Sequence, residues 1–271
     1  LHSVALFPSW ETLPHERLSP SPDIVGQRLH VLRRLAHPEL EDARHGPIRL
    51  LVAPIRSVLQ PLVTGLGDVA PVVLRRGDEM SIDELAAQLV AAGYERTDLV
   101  ERRGQFAVRG GIVDVFPPTE RHPVRLEFFG DEVDDIRTFT VTDQRSLAPV
   151  DDVWAPVCRE VLLTAEVRAK AAAAAVSHPG LADLLGPMAE GIAVPGMEAV
   201  APLVVAGMTT LVELLPPNAI VIVAEPERVA ARAEDLVRTS AEFLAAGLEV
   251  AADGGELPVD LARSAYISVA E

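Results

Sequence analysis

Arg125-Leu126-Glu127-Phe128-Phe129 holds residue types that can act together. Successive side chains of a strand point to opposite faces. Arg125, Glu127 and Phe129 then share one face, and Val124, Leu126 and Phe128 share the other. An arginine, a carboxylate and an aromatic ring presented together have the makeup of a protein-binding hot spot. The same pattern also fits a solvated strand face with one stray phenylalanine and a weak ion pair. Upstream, Arg103-Gly104-Gln105-Phe106-Ala107-Val108-Arg109-Gly110-Gly111 sets glycines at both ends of a strand. Such glycines serve hairpin turns or a close backbone approach. No helical pattern follows them, so they are not a dinucleotide-binding fingerprint.

Other chemistry is poorly supplied. The basic residues are arginines except for Lys170, which sits in an alanine run. A phosphate-binding loop needs glycines before its lysine and a hydroxyl after it. Lys170 has neither, so no ATPase activity is expected of this chain. Asp134-Asp135 and Asp151-Asp152 are adjacent pairs, whose side chains diverge on a strand, so neither suits two-carboxylate catalysis. His15, His30 and His122 lack a nucleophile or metal-ligand motif around them. Cys158 stands alone, which precludes an internal disulfide and fits a reducing cytoplasm as a small apolar residue. The formal charge is −16. Duplex binding needs a basic face to release counterions, and no arginine-rich stretch interleaved with aromatics is present, so strong nucleic-acid binding is not expected.

The elements that must position these residues follow from period and punctuation. The chain has 271 residues, 49% of them hydrophobic, enough for about two well-filled domains. No apolar run is long enough to span a membrane, and no signal peptide is evident. The chain opens on Leu1 inside an apolar stretch, which suggests sequence upstream. Asp23 caps a helix carrying Ile24, Leu29, Leu32 and Leu35. Ile48 to Ala53 reads as a buried parallel strand, and residues 55–63 as a helix. After a strand at 72–74, Ser81-Ile-Asp-Glu84 is a capping box that starts a helix stopped by Gly93. The period then changes to two. Strands are expected at about 99–102, 105–109, 112–116, 124–129 and 134–141, an antiparallel meander on one or two helices. Helices follow at 164–176 and 181–190, then a buried strand at Ala219 to Ala224, a long helix at 226–246 and a last strand at Ala265 to Val269.

The run Arg103-Gly104-x-Phe106-x-x-Arg109-Gly110-Gly111-Ile112-Val113-Asp114-Val115-Phe116-Pro117, followed by Arg125-Leu-Glu127-Phe128-Phe129-Gly-Asp131-Glu132-Val133-Asp134-x-Ile136-Arg137, closely resembles one module. It is shared by transcription-repair coupling factors (Mfd) and the excision-repair helicase UvrB. Phe7-Pro-x-Trp10-Glu-x-Leu13-Pro14 and Val141-Thr-Asp143-Gln144-Arg145-Ser146 resemble the coupling factors, of actinobacterial type, rather than UvrB, whose tyrosine-rich segment is missing here. The match is specific over residues 7–150 and looser through Leu214-Leu-Pro216-Pro217-Asn218.

The resemblance implies a mixed α/β and α+β chain of three parts. Residues 1–70 would be a truncated, degenerate helicase-like domain, residues 71–157 a small antiparallel-sheet domain that binds the repair ATPase UvrA, and residues 158–271 a further α/β region. It implies UvrA contacts at Arg109, Arg125 and Phe129, with an acidic partner residue at Glu127. It also implies that the surface is masked until a C-terminal motor engages stalled RNA polymerase. That motor, its ATP and the polymerase-binding domain lie outside this chain. We therefore expect a non-catalytic recruitment module for UvrA, without a cofactor of its own. Two other possibilities stay open: an autoinhibitory structural part that holds the motor, and a helicase fragment with residual nucleotide binding.

Overall fold

In the computed structural model, the described residues are 3–13, 16–39, 46–252 and 266. In chain order the elements are β1 (Val4–Leu6), α1 (Pro22–Ala36), β2 (Leu50–Val52), α2 (Ile55–Val58), β3 (Leu62–Val63), β4 (Val72–Arg75), α3 (Ile82–Ala91) and β5 (Glu95–Arg96). Next come β6 (Gln105–Arg109), β7 (Ile112–Val115), β8 (Val124–Phe129), β9 (Glu132–Phe139), β10 (Ser146–Pro149) and β11 (Asp152–Ala155). The remainder are α4 (Ala165–Ser177), α5 (Ala182–Glu190), α6 (Ala201–Val204), β12 (Met208–Thr209) and α7 (Pro226–Ala252). Helices and strands are thus mixed, with several small sheets, in keeping with the α/β and α+β class expected. The chain divides into two compact units, Pro22–His30 with Asp68–Leu162, and Leu1–Ser21 with Val31–Gly67 and Leu163–Glu271.

The first unit carries the meander. Its six-stranded sheet runs β10-β9-β8-β7-β6-β5. All neighbours are antiparallel except β5 and β6, which pair in parallel. The inner face is Phe106, Val113, Val115, Val124, Leu126, Val133 and Ile136, all buried. The spacing between Val133 and Ile136 breaks the period of two. A bulge absorbs it: Glu127 faces Asp135 and Phe128 faces Val133, so Asp134 is the extra residue. One added residue bends a strand and keeps apolar side chains inward on both sides of it. Ser81 caps α3 by accepting the Glu84 amide at 3.2 Å, and Leu85 and Leu89 form the helix's buried side. β4 pairs antiparallel with β11, joining the two ends of the sheet-bearing segment. Arg28 on α1 is fully buried against Glu160, with Nε donating to Oε1 at 2.5 Å. Two such charges can be buried because each offsets the other's desolvation.

In the second unit β1 and β2 pair in parallel, and β3 pairs with β12 antiparallel. Helices α4, α5 and α6 pack together around Ala171, Leu185, Met188 and Val204. Leu59, Ala233, Leu236 and Tyr266 form another cluster with Leu13 and Ile55 at its edge. Arg56 Nε donates to the Tyr266 hydroxyl at 2.7 Å.

Several expected elements differ. Residues 55–63 split into the short α2 and then β3, because Leu62 and Val63 find a strand partner in β12. The stretch 99–102 is no strand; it bends so that Val100 enters a small core. The run Ile48 to Ala53 pairs in parallel as expected but is not buried, with Leu50 54% exposed, since its sheet has two strands among the described residues. Ala219 to Ala224 is not a strand either: Ile220 is 88% and Ile222 85% exposed. A strand needs a ladder for its backbone groups, and no described strand supplies one. The last expected strand, 265–269, lies outside the described residues except for Tyr266, as does His15.

Candidate partner-binding face

The outer face of the six-stranded sheet follows from its register. Asp114 stands opposite both Ala107 and Arg125, and Ile112 stands opposite both Arg109 and Glu127. Glu127 in turn faces Asp135, and Arg125 faces Arg137. Two hairpins bring their tips to one end of this face. Gly110-Gly111 joins β6 to β7 and Gly130-Asp131 joins β8 to β9. Gly110 and Gly130 both have positive φ, at 58° and 65°. A two-residue hairpin loop needs that conformation at its first position, and glycine adopts it without steric cost. Gly111 also approaches the neighbouring strand closely, its carbonyl accepting the Phe128 amide at 2.8 Å.

The face has two halves. One half is closed over a small core of Val100, Ala107, Phe116 and Phe139, with Val141 packed against it. The other half is open and holds Arg109, Ile112, Glu127 and Phe129. Phe129 is 82% exposed, beside the turn. Burial of an aromatic ring is strongly favourable, and Phe129 forgoes that gain within this chain.

Arg125 lies on the boundary between the halves. Its guanidinium grips Asp114 with two parallel bonds, Nε to Oδ1 at 2.7 Å and a terminal nitrogen to Oδ2 at 2.8 Å. The other terminal nitrogen donates to the Gln144 carbonyl at 3.3 Å, and the cation lies 4.6 Å from the Phe139 ring centre. The bond to Asp114 is the main cause that holds the Arg125 pKa above its ordinary value. Arg109 donates to the same Asp114 Oδ2 from the more open side. The Asp114 carboxylate is fully buried and accepts from both arginines. Farther along the face, Arg137 pairs with Asp135, whose pKa is lowered first by that bond.

The four residues singled out in the sequence therefore lie on one face, but unequally. Phe129 and Glu127 are exposed, Arg109 is half-open, and the Arg125 side chain is only 14% exposed. Asp114 was not among them. Its signal was present: an acid in the apolar strand Ile112-Val-Asp-Val-Phe116 must find a partner to be tolerated there. Arg109, Arg125 and Arg137 share this face with four acids, Asp114, Glu127, Glu132 and Asp135. The face is a charge mosaic with an exposed ring, unlike the basic surface that nucleic acid requires.

Comparison with known proteins agrees with this architecture. A model of the UvrB interaction domain matches residues 72–155. The chain is 50% identical over 274 aligned residues to the transcription-repair-coupling factor of Mycobacterium bovis, covering 96% of this chain and 22% of that protein. It is 37% identical to the coupling factor of Bacillus subtilis over 62% of this chain and 14% of that protein. For Escherichia coli the figures are 35%, 53% and 12%. The chain thus spans about a fifth of the length of the mycobacterial relative. Residues 72–155 match the UvrB interaction domain, within a chain similar along nearly its whole length to transcription-repair-coupling factors.

Proposed function

We propose that this chain is the UvrA-recruiting, non-catalytic module of a transcription-repair-coupling factor. Arg109, Arg125, Glu127 and Phe129 form the contact surface. The observation that carries this reading is the exposure of Phe129, 82%, at the open end of a charged face in a UvrB interaction domain. Phe129 fills an apolar pocket on UvrA. Arg109 and the free edge of Arg125 donate charge-assisted hydrogen bonds to acidic groups there. Glu127 adds an acceptor that rejects a mismatched acidic neighbour. Residues 71–157 act as the binding domain, flanked by a degenerate helicase-like part and a further α/β region. In the whole protein, an ATP-driven motor outside this chain displaces stalled RNA polymerase, and its C-terminal part masks this surface until then.

Calorimetric titration with UvrA tests the site. Phe129→Ala combined with Arg109→Ala is expected to weaken binding by about 100-fold, since paired hot-spot truncations each cost on the order of 1–2 kcal/mol. Affinity equal to that of the unmodified chain rejects the assignment.

A further inference from the structure

We propose that Asp114 is the positioning residue of this face: its buried carboxylate sets Arg109 and Arg125 in their binding geometry before any partner arrives. The proposal rests on the reading of the face as the UvrA-binding surface. Asp114 has no exposure of its own, so it cannot touch a partner and must act through the two arginines.

Stability alone does not account for it. A buried ion pair is often no more stable than apolar side chains of similar volume, and Asp114 sits between Val113 and Val115 in an otherwise apolar strand. What the carboxylate supplies is direction. It holds Arg125 by a planar, two-bond fork, a geometry open to guanidinium but not to ammonium. The Phe139 ring sets the position of the cation from the side, and the Gln144 carbonyl takes a third N–H. Gln144 is itself fixed in a conformation unusual for a residue other than glycine, with φ at 58°. Its amide bonds Thr140 at 2.9 Å and its side chain bonds Val141 at 2.9 Å, so the carbonyl is aimed. Three of the five guanidinium N–H groups are thereby engaged, and the two that remain are held in known directions. Arg109 shares the same oxygen and is drawn to the same side. Immobilising a rotamer-rich side chain during binding costs about 2- to 12-fold in affinity. A chain that has ordered both arginines beforehand avoids that loss twice.

The test begins with the unmodified chain, labelled with nitrogen-15. The Arg125 Nε–H order parameter is expected near that of rigid backbone, about 0.85, against below about 0.6 for a free arginine. Arg145, whose side chain is 83% exposed and whose Nε meets Asp143 only at 3.6 Å, is the internal reference for a loosely held arginine. An Arg125 signal as mobile as that of Arg145 overturns the proposal, and this measurement requires no variant to fold. The second arm is Asp114→Asn, which keeps shape and removes charge. The expected result is a mobile Arg125 Nε and UvrA affinity lowered by about 5- to 50-fold. A folded Asp114→Asn chain that binds UvrA like the unmodified one overturns the proposal. Phe129→Ala separates this from the reading beneath it. Lost UvrA binding in Phe129→Ala with none lost in Asp114→Asn defeats the role of Asp114 alone. Unchanged binding in Phe129→Ala defeats the UvrA surface itself.

Discussion

At the scale of single residues, the four side chains of the face do different work for the fold. Phe129 is exposed and contributes little to stability. Arg125 is the opposite case, because removing it leaves Asp114 with a buried charge and only the half-open Arg109 to offset it. Breaking a buried pair from one side costs about 3–5 kcal/mol. Arg125→Ala is therefore expected to lower urea stability by about that much, and Arg109→Ala by about 1 kcal/mol or less. Equal losses in urea unfolding would mean that the two arginines share Asp114 evenly. Loss of partner binding in Arg125→Ala mixes folding with contact, whereas Phe129→Ala reports contact alone. None of this asymmetry was legible in the sequence. Alternation placed Arg125, Glu127 and Phe129 on one face, but the burial of Arg125 depends on Asp114 lying opposite it, a register that local pattern does not carry.

At the scale of elements, period and capping were legible where one influence dominated. β6 and β8 begin and end where alternation predicts, and α3 starts at its serine cap. The failures share a cause. Apolar composition does not ensure burial, and a strand forms only where a partner strand is at hand. Ala219 to Ala224 has the composition of a core strand, yet its side chains are exposed, and no described strand pairs with it. The short edge strand β10 was missed because its residues are all exposed and carry no two-residue alternation. Exposure of 85% at Ile222 gives a direct expectation. Ile222→Ser should change the unfolding free energy of this chain by less than about 0.5 kcal/mol, as for other surface positions. A loss above about 2 kcal/mol in chemical denaturation would mean that the segment is buried in solution.

At the scale of the whole molecule, the chain has an acidic overall charge, −16, and its sheet face mixes Arg109, Arg125 and Arg137 with Asp114, Glu127, Glu132 and Asp135. It shows no helix, among the described residues, long and apolar enough to cross a membrane. Alkaline pH probes the integrity of the sheet-bearing unit. Burial pushes the Cys158 thiol up, and burial foremost also raises Tyr94, whose hydroxyl donates to the Pro156 carbonyl at 2.9 Å. The unfolded thiol ionises near pH 8.5, so the unfolded state releases its proton first. Stability is then fully present below about pH 8.5 and falls as pH rises toward the folded value. Cys158→Ala should flatten the part of that fall due to the thiol, as measured by urea unfolding at pH 7 and pH 10; an unchanged slope would contradict burial of an un-ionised thiol. The central claim is that UvrA docks on the open half of one sheet face. Amide hydrogen exchange of the intact chain, with and without UvrA, tests it most directly. The expected result is new protection at the two hairpin ends, residues 109–112 and 127–132, with the α4–α5 region unchanged. Protection confined to the α4–α5 region, or none anywhere at saturating UvrA, would contradict it.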